Sequence, residues 1–313
     1  MLFVTLHGGK PERNPHKNNI HAYDKDGNRI TSSVLGDSEG VILDELRGVY
    51  LAGKYLYVAN ANKTQNSVLC YEGSGTQYRF VSRFASSQTC NSILHPFDFS
   101  FDGLGYCYLS SQDTNVVTRL IVSQDGRVGT PAPVAAGLPQ SGKFLAGTFV
   151  ASSNGKLSNP ATTPVSTPTG LAYSAVEAKK HSVRGVVWAN GRLYVADQPA
   201  RTVKVYDITG KYLGQSNELD EGSPVHLIVH RGSLYASGGD HVFTARPSSP
   251  GKLELRAIDG VKVKNCCGMA FGNSGNFYVA SRTENTILKF DVDFKPIKFR
   301  CDLPDNPEFL VHV

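Results

Sequence analysis

The 313-residue sequence is poor in charged residues and has no basic cluster. Only 19% of its residues are Asp, Glu, Lys or Arg, and the formal net charge is +5, with the Lys and Arg residues scattered along the chain. A nucleic-acid-binding surface needs a concentrated basic face, so we expect no nucleic-acid partner. No apolar run approaches the roughly 20 residues of a membrane-spanning helix, so we expect no membrane partner either.

Short motifs that would mark a metal site are also missing. The six cysteines match no C-x-x-C spacing, and no H-E-x-x-H or H-x-H motif joins any of the histidines. The adjacent Cys266 and Cys267 have no histidine at a spacing that suggests an activated nucleophile, so we expect these thiols to be packing residues. The even number of cysteines permits disulfides without requiring them.

No targeting segment identifies the cellular location. No signal peptide precedes Leu2, which fits either a cytoplasmic protein or a mature secreted one. The triplet Asn62-Lys63-Thr64 is a sequon for N-glycosylation in a predicted polar loop. We leave the location open and expect a secreted or lumenal protein rather than a cytoplasmic one.

A four-residue strand pattern with an aromatic residue at its second position occurs seven times. The seven aromatic residues are Phe3, Tyr57, Tyr108, Phe149, Tyr194, Tyr235 and Tyr278. Most intervals between them lie near the roughly 40 to 45 residues of one four-stranded propeller blade. Asp-Gly and Asn-Gly pairs between the strands are typical of hairpin turns, and no long window shows helical periodicity. We therefore predict an all-β fold, a β-propeller of four-stranded blades.

The two ends of the chain are predicted to complete one blade. Residues 307–313 have the pattern of a first strand, whereas residues 2–5 have the pattern of a second strand whose first strand is missing. Pairing them closes the ring and leaves no open sheet edge. We predict six blades plus a Pro/Ser/Thr-rich insertion at 153–182, with a seventh, degenerate blade around Phe149 as the alternative. Residues 1–313 then form a single domain, which we expect to be a monomer.

Propeller geometry indicates where a site would lie. The first strand of each blade lines the channel and runs antiparallel to the second, so first-strand starts and second-strand ends open on one face. The first-strand starts supply Arg47, His95, Asp98, Arg184, His226, Cys267 and Glu308. The second-strand ends supply His7, Asn60, Gln112, Asp197, Asp240 and Arg282. We predict that these side chains surround one pocket on the channel axis.

Two arginines of this set, Arg47 and Arg184, are each followed by Gly-Val. Repeat similarity is one interpretation, in which each arginine forms an ion pair with a carboxylate of a neighbouring blade. In the other interpretation both guanidinium groups donate hydrogen bonds to a carbonyl, enolate or carboxylate of a substrate.

A metal site is the next possibility for the same pocket. Three histidines of the set could converge as zinc ligands, and three of its carboxylates could form an oxygen-rich calcium site. No local motif connects either group, so we favour no metal cofactor. If calcium or zinc is present, we expect Asp98, His226 and Glu308 among its ligands.

Two segments carry a resemblance to a known group of proteins. They are residues 224–227 (Pro-Val-His-Leu) followed by 234–236 (Leu-Tyr-Ala), and residues 191–197 (Gly-Arg-Leu-Tyr-Val-Ala-Asp). Through them the whole chain resembles the NHL-type and SMP-30/gluconolactonase-like propellers. That group includes calcium- or zinc-dependent lactonases and esterases, a zinc lyase and non-catalytic binding modules, so the resemblance implies the architecture and leaves the chemistry open.

The sequence departs from the lactonases of that group, whose metal sites use Asn-Asp-Gly and Pro-Asp-Gly segments, because neither tripeptide is present. The chain also resembles fungal propellers of secondary metabolism that are similar to hetero-Diels-Alderases. We therefore expect a metal-independent cyclase, isomerase or pericyclase of natural-product biosynthesis that positions a small apolar organic substrate.

The residues expected to perform this function come from the predicted pocket. The predicted catalytic residues are Arg47, Arg184, His226 and Asp98. The predicted substrate-binding residues are His7, Asn60, Phe97, Tyr173, Trp188, Asp197, Arg282 and Glu308. The alternative functions are a metal-dependent lactonase, esterase or lyase, and a non-catalytic propeller that binds a ligand or a protein.

Overall fold

The structure is a computed structural model that describes residues 1–8, 18–136, 146–153, 156–157, 182–247, 252–299 and 301–313. These residues form six β-sheets arranged as the blades of a ring, so the predicted six-bladed β-propeller is confirmed. No helix among them is long and apolar enough to cross a membrane. The strands are numbered β1 to β27 along the chain.

Blades 1 to 3 contain the first half of the chain and its last strand. From the axis outward, blade 1 consists of β27 (Pro307–His312), β1 (Leu2–Leu6), β2 (His21–Tyr23) and β3 (Arg29–Thr31). Blade 2 consists of β4 (Leu46–Ala52), β5 (Tyr55–Asn60), β6 (Ser67–Ser74) and β7 (Gln77–Ser86). Blade 3 consists of β8 (Pro96–Phe101), β9 (Tyr106–Ser111), β10 (Val116–Val122), β12 (Thr148–Ser153) and β13 (Lys156–Leu157), and β11 (Gly129–Pro131) also pairs with β10.

Blades 4 to 6 follow in chain order around the ring. Blade 4 consists of β14 (Val183–Ala189), β15 (Arg192–Asp197), β16 (Thr202–Tyr206), β17 (Tyr212–Ser216) and β21 (Lys252–Leu253). Blade 5 consists of β18 (Pro224–His230), β19 (Ser233–Gly238), β20 (His241–Ala245) and β22 (Arg256–Lys262). Blade 6 consists of β23 (Cys266–Phe271), β24 (Phe277–Ser281), β25 (Thr286–Phe290) and β26 (Pro296–Ile297).

The two ends of the chain close the ring as predicted. β27 is the innermost strand of blade 1 and pairs antiparallel with β1, with Phe3 opposite Val311. The backbone N–H of Val313 donates to the Met1 carbonyl at 2.8 Å, and the Met1 amino group donates to the Val313 carbonyl at 2.9 Å. The sheet that joins first and last blade therefore has no free edge between its two innermost strands.

The repeated aromatic pattern forms the second strand in six of its seven copies, namely β1, β5, β9, β15, β19 and β24. The copy around Phe149 is the exception, because it lies in β12 and pairs with β10 as an outer strand of blade 3. Phe149 is fully buried against Tyr108, with ring centroids 4.9 Å apart. The seven-blade alternative is wrong. The aromatic pattern indicates a buried strand, but it does not indicate with which strand that strand pairs. Most of the predicted insertion at 153–182 lies outside the described residues.

Glycine alternates with a larger residue at one level of the six innermost strands. A Cβ atom on each glycine would lie 2.7 to 3.0 Å from the Cα atom of the residue that it faces in the next blade. The glycines and their neighbours are Gly48 and Asp98, Gly185 and His226, and Gly268 and Phe309. The absence of a side chain on alternate strands thus makes room for three larger side chains around the axis.

We expect Gly185→Ala to destabilise the protein by about 2 to 3 kcal/mol, because the new methyl group would overpack the backbone of blade 5. Its Cβ would lie 2.7 Å from the Val225 carbonyl oxygen and 2.8 Å from the His226 Cα. Gly191→Ala is the control, since Gly191 has a φ of +72° but no heavy atom within 4 Å of the place where a Cβ would lie, and should cost about 1 kcal/mol. Urea unfolding measures both, and equal losses would contradict the close packing of the two blades.

Candidate functional site

The predicted ring of functional side chains is divided by two phenylalanines. The guanidinium carbons of Arg47 and Arg184 lie 5.8 and 5.4 Å from the centre of the Phe97 ring. Phe97 contacts Phe309 edge to face at 5.4 Å, and Phe309 contacts the His226 ring at 4.7 Å. Phe97 and Phe309, called the aromatic layer below, thus connect the arginines to His226, and of these side chains only His226 lines the axial cavity.

A one-residue offset along the innermost strands explains this division, because Arg47, Arg184 and Glu308 directly precede the residues that lie at the level of Asp98 and His226. The pairing of the innermost strand with the second strand shifts register near its start in every blade, for example between Leu46 and Val49 and between Pro96 and Asp98. A shift of one residue turns the following side chains to the other face of the strand. Neighbouring residues near the strand starts therefore point in different directions. The prediction of a single pocket assumed that they all point to the same place.

The axial cavity has a volume of about 330 Å³ and is lined by all six innermost strands. Its walls are polar and apolar in about equal parts, with Val49, Val186 and Leu227 among the apolar lining residues. Two buried ionisable side chains, Asp98 and His226, also line it. A cavity of this size, with apolar surface beside convergent polar groups, is typical of small-molecule sites.

The Asp98 carboxyl group is held by backbone donors and is 5% exposed. Its Oδ1 accepts the N–H of Phe99 at 2.8 Å, and its Oδ2 accepts the N–H of Val186 in blade 4 at 3.0 Å. Burial raises the pKa of Asp98 to about 8 in spite of these two hydrogen bonds, which favour the charged form. At neutral pH the group is therefore mostly a carboxylic acid with a proton to donate.

The His226 imidazole occupies the equivalent place two blades further around the ring. Its Nδ1 accepts the backbone N–H of Met269 in blade 6 at 3.0 Å. Burial lowers the pKa of His226 to about 3, so the ring is neutral near pH 7. Because Nδ1 accepts, the proton of the neutral ring is assigned to Nε2. His226 is then a second neutral hydrogen-bond donor among the residues that line the cavity.

The sequence analysis missed two histidines at the C-terminal ends of innermost strands. His230 ends β18 and stacks on Phe271 at 4.0 Å, and His312 ends β27 and stacks on Tyr278 at 6.0 Å. Both line the axial cavity, together with Tyr50. The period of two along β18 puts His226 and His230 on the same face of the strand, and this signal could have identified His230.

The other side of the aromatic layer carries a charged cluster around Glu308, which is 2% exposed. Its Oε1 lies 2.5 Å from Arg47 Nη1, 2.9 Å from Arg282 Nη2 and 3.1 Å from His7 Nδ1. Burial opposes ionisation of Glu308, but Arg47, the hydrogen bond with His7 and Arg282 hold its pKa below the ordinary value. Arg47 thus bridges to a carboxylate of a neighbouring blade, which is the first of the two interpretations given for it.

Asn60 and Asp197 hold loops rather than line the cavity. The Asn60 amide accepts the N–H of Asp44 and donates to the Ile42 carbonyl, both at 2.9 Å. Asp197 accepts the N–H of Ser182 at 3.0 Å and forms a fully buried ion pair with Lys204. Each side chain therefore fixes the segment that precedes the innermost strand of its own blade.

Two predicted aromatic residues have other positions. Trp188 stacks flat on Tyr108 of blade 3 at 4.8 Å, and its side chain is used in packing between blades. Tyr173 lies outside the described residues. Phe97, the third predicted aromatic contact, belongs to the aromatic layer and does not line the axial cavity.

The hypothetical metal ligands Asp98, His226 and Glu308 are not brought together. Glu308 contacts two arginines on one side of the aromatic layer, whereas the other two line the cavity on the opposite side. No group of three or more His, Cys, Asp or Glu side chains within the described ranges is arranged to hold a metal ion. The six cysteines are all buried and all free thiols.

Solved structures share the fold at very low sequence identity. A protein of unknown function from Bacteroides caccae is 12% identical over 99% of this chain and 97% of its own, with a TM-score of 0.59. A chain of a nidogen/laminin complex is 11% identical over 99% of this chain and 96% of its own, with a TM-score of 0.58. The Swd1 β-propeller domain of Myceliophteria thermophila is 12% identical over 86% of this chain and 77% of its own, with a TM-score of 0.52. No family model and no curated protein matches the sequence. These likenesses establish the β-propeller fold and nothing finer.

Proposed function

We propose that this protein is an enzyme that binds a small, largely apolar organic molecule in the axial cavity and cyclises or isomerises it. The observation that carries the proposal is the presence of Asp98 and His226, both buried and both mostly uncharged near pH 7, in the lining of one axial cavity. The resemblance of the sequence to secondary-metabolism propellers and to the wider NHL-type group supports this choice of reaction.

Two neutral donors favour a neutral substrate that carries a carbonyl group. A protonated carboxyl and an imidazole N–H donate hydrogen bonds to a carbonyl oxygen and stabilise negative charge that develops there, without the cost of burying an ion. Such donors act strongly in a site of low dielectric constant. The apolar walls would hold the remaining carbon skeleton in one conformation, so that positioning supplies the rest of the rate enhancement. The substrate class is therefore an unsaturated ketone or aldehyde with few charged groups.

Turnover of a panel of neutral unsaturated ketones, followed by chromatography, tests the proposal. We expect rearranged products with the unaltered protein and a loss of roughly 10²- to 10³-fold in rate for Asp98→Leu and for His226→Phe, since neither new side chain has an N–H or O–H group to donate. His226→Phe is a conservative choice because Phe309 occupies the equivalent position in blade 1. The matched alcohols, which lack the carbonyl oxygen, should bind more weakly to the unaltered protein.

Arg184→Gln is the control, because Arg184 lies on the other side of the aromatic layer and should leave turnover of neutral ketones unchanged. Thermal unfolding of each variant shows whether a loss of rate comes from a loss of folded protein. Turnover that survives in both cavity variants but disappears in Arg184→Gln would move the reaction to the charged cluster and overturn the proposal. Binding of ketones with no product from any of them would leave a ligand-binding propeller and refute the enzyme.

A further inference from the structure

Arg184 differs from the other arginines of the charged cluster because no described carboxylate pairs with it. Its Nη1 donates to the Ser182 hydroxyl at 2.7 Å and to the Val183 carbonyl at 3.3 Å. Nε and Nη2 donate to no acceptor within the described ranges. Two of the five guanidinium N–H groups would satisfy both bonds, so a fork of donors is left for another partner.

The half-buried Arg184 guanidinium lies close to a second guanidinium group. Its guanidinium lies over the same Phe97 ring as that of Arg47. Burial, then Arg47 and Arg282, lower the pKa of Arg184 to about 10, while Asp113 and Asp197 oppose this shift. At neutral pH the side chain is still charged, beside a second guanidinium whose own carboxylate partners, Glu308 and Glu45, are already shared.

Each carboxylate near the cluster contacts another basic side chain. Glu308 is shared by Arg47, Arg282 and His7, and its single charge faces two guanidinium groups. Glu45 lies 3.3 Å from Arg47 and 3.4 Å from His95. Asp113 lies 3.6 Å from His95, and Asp197 pairs with Lys204. None of these carboxylates lies within ion-pair distance of the Arg184 guanidinium, so its remaining N–H groups are available to an added monoanion.

We propose that the charged face of the propeller binds the carboxylate group of a small organic acid, with the guanidinium fork of Arg184 as its main donor. A planar carboxylate matches this fork in a bidentate pair, which a lysine could not reproduce. The site is distinct from the axial cavity, because neither Arg184 nor Arg47 lines that cavity, and it does not depend on the reaction proposed for the cavity.

Benzoate and its neutral isostere benzamide are the probes, with inorganic phosphate as a second anion, in calorimetric titrations at pH 7 and low salt. We expect benzoate to bind the unaltered protein, benzamide not to bind, and phosphate to bind more weakly than benzoate. Arg184→Gln should weaken benzoate binding roughly tenfold or more, the usual contribution of a charged hydrogen bond. Arg184→Lys keeps the charge without the fork, so its affinity for benzoate should lie between those of the unaltered protein and Arg184→Gln.

Arg192→Gln is the matched control, because Arg192 begins β15 in the same blade, at the opposite end from the start of β14 where Arg184 lies, and should leave benzoate binding unchanged. Asp98→Asn should also leave it unchanged, which separates this site from the axial cavity. Equal benzoate affinity in Arg184→Gln and the unaltered protein would refute the proposal, as would benzamide binding as tightly as benzoate or an equal loss in Arg192→Gln. If Arg184→Gln does not fold, the comparison of Arg184→Lys with Arg192→Gln decides in the same way.

Discussion

Glu308→Gln is expected to lower the free energy of unfolding by about 3 kcal/mol or more. The substitution removes the one carboxylate that Arg47 of blade 2, Arg282 of blade 6 and His7 of blade 1 share. Arg47 is 5% exposed and would be left with the partly exposed Glu45 as its only described carboxylate partner. Removal of one partner from a buried ion pair typically costs about 3 to 5 kcal/mol, because the remaining charge cannot be solvated. Urea unfolding at pH 7 measures the loss.

Glu254→Gln is the control for this prediction, since Glu254 pairs with Arg256 on an exposed strand and should change stability little. The effect of Glu308→Gln should also disappear in acid. The pKa of Glu308 is depressed in the folded protein, so its contribution is present above the unfolded-state pKa near 4.5 and is lost as the pH falls through the lower folded-state pKa. A loss at pH 7 no larger than that of Glu254→Gln would mean that Glu308 is not essential to the joint between first and last blade.

A second substitution identifies the source of the loss. Arg47→Met in the Glu308→Gln background should recover a part of the stability, because the uncompensated guanidinium is then gone and its place is filled by an apolar chain. No recovery would mean that the amide itself, and not the orphaned arginine, is the destabilising group. The result also bears on the sequence-based interpretation of Arg47, since recovery identifies it as a bridge between blades.

The fold could be predicted from the sequence because each blade repeats a strongly local signal. An aromatic residue in a buried second strand, an Asp-Gly or Asn-Gly turn and a regular interval together specify an antiparallel meander, and the complementary chain ends specify closure. The prediction was ambiguous at Phe149, where the same local signal belongs to an outer strand. Strand order is a tertiary property, so a pattern that encodes burial cannot by itself distinguish a second strand from a fourth.

For the candidate site, the sequence could predict several of the residues but not their positions along the axis. Arg47, Arg282, His7 and Glu308 were all expected on one face, and the structure does bring them together. The depth of each side chain was not predictable, because β-bulges at the start of the innermost strands change which residues point to the axis. Asp98 and His226 each accept a backbone N–H of the next blade along the chain, and no side-chain pattern reveals such a partner.

Asp98→Asn is expected to change how stability depends on pH. Burial raises the pKa of Asp98 to about 8 in the folded protein, whereas in the unfolded chain it is near 3.8. Between these values the folded state binds one proton more than the unfolded state, so the contribution of Asp98 to stability decreases as the pH rises, by about 1.4 kcal/mol per pH unit. The asparagine side chain does not titrate in this pH range. The free energy of unfolding of Asp98→Asn, relative to the unaltered protein, should therefore rise by that amount per unit between pH 5 and pH 7.5.

Urea unfolding at several pH values in this range measures the difference, and comparison of the two proteins cancels the titration of the other groups. Cys107, which interacts electrostatically with Asp98, stays uncharged because burial raises its pKa well above the ordinary value, and His226 stays neutral because its pKa is about 3. Asp125→Asn is the control, since the pKa of Asp125 is lowered by the Ser123 hydroxyl and the group is ionised in both states above pH 5. A difference that is flat with pH for Asp98→Asn, as expected for Asp125→Asn, would mean that Asp98 is already ionised in the cavity, and the neutral acid required by the proposed reaction would not exist.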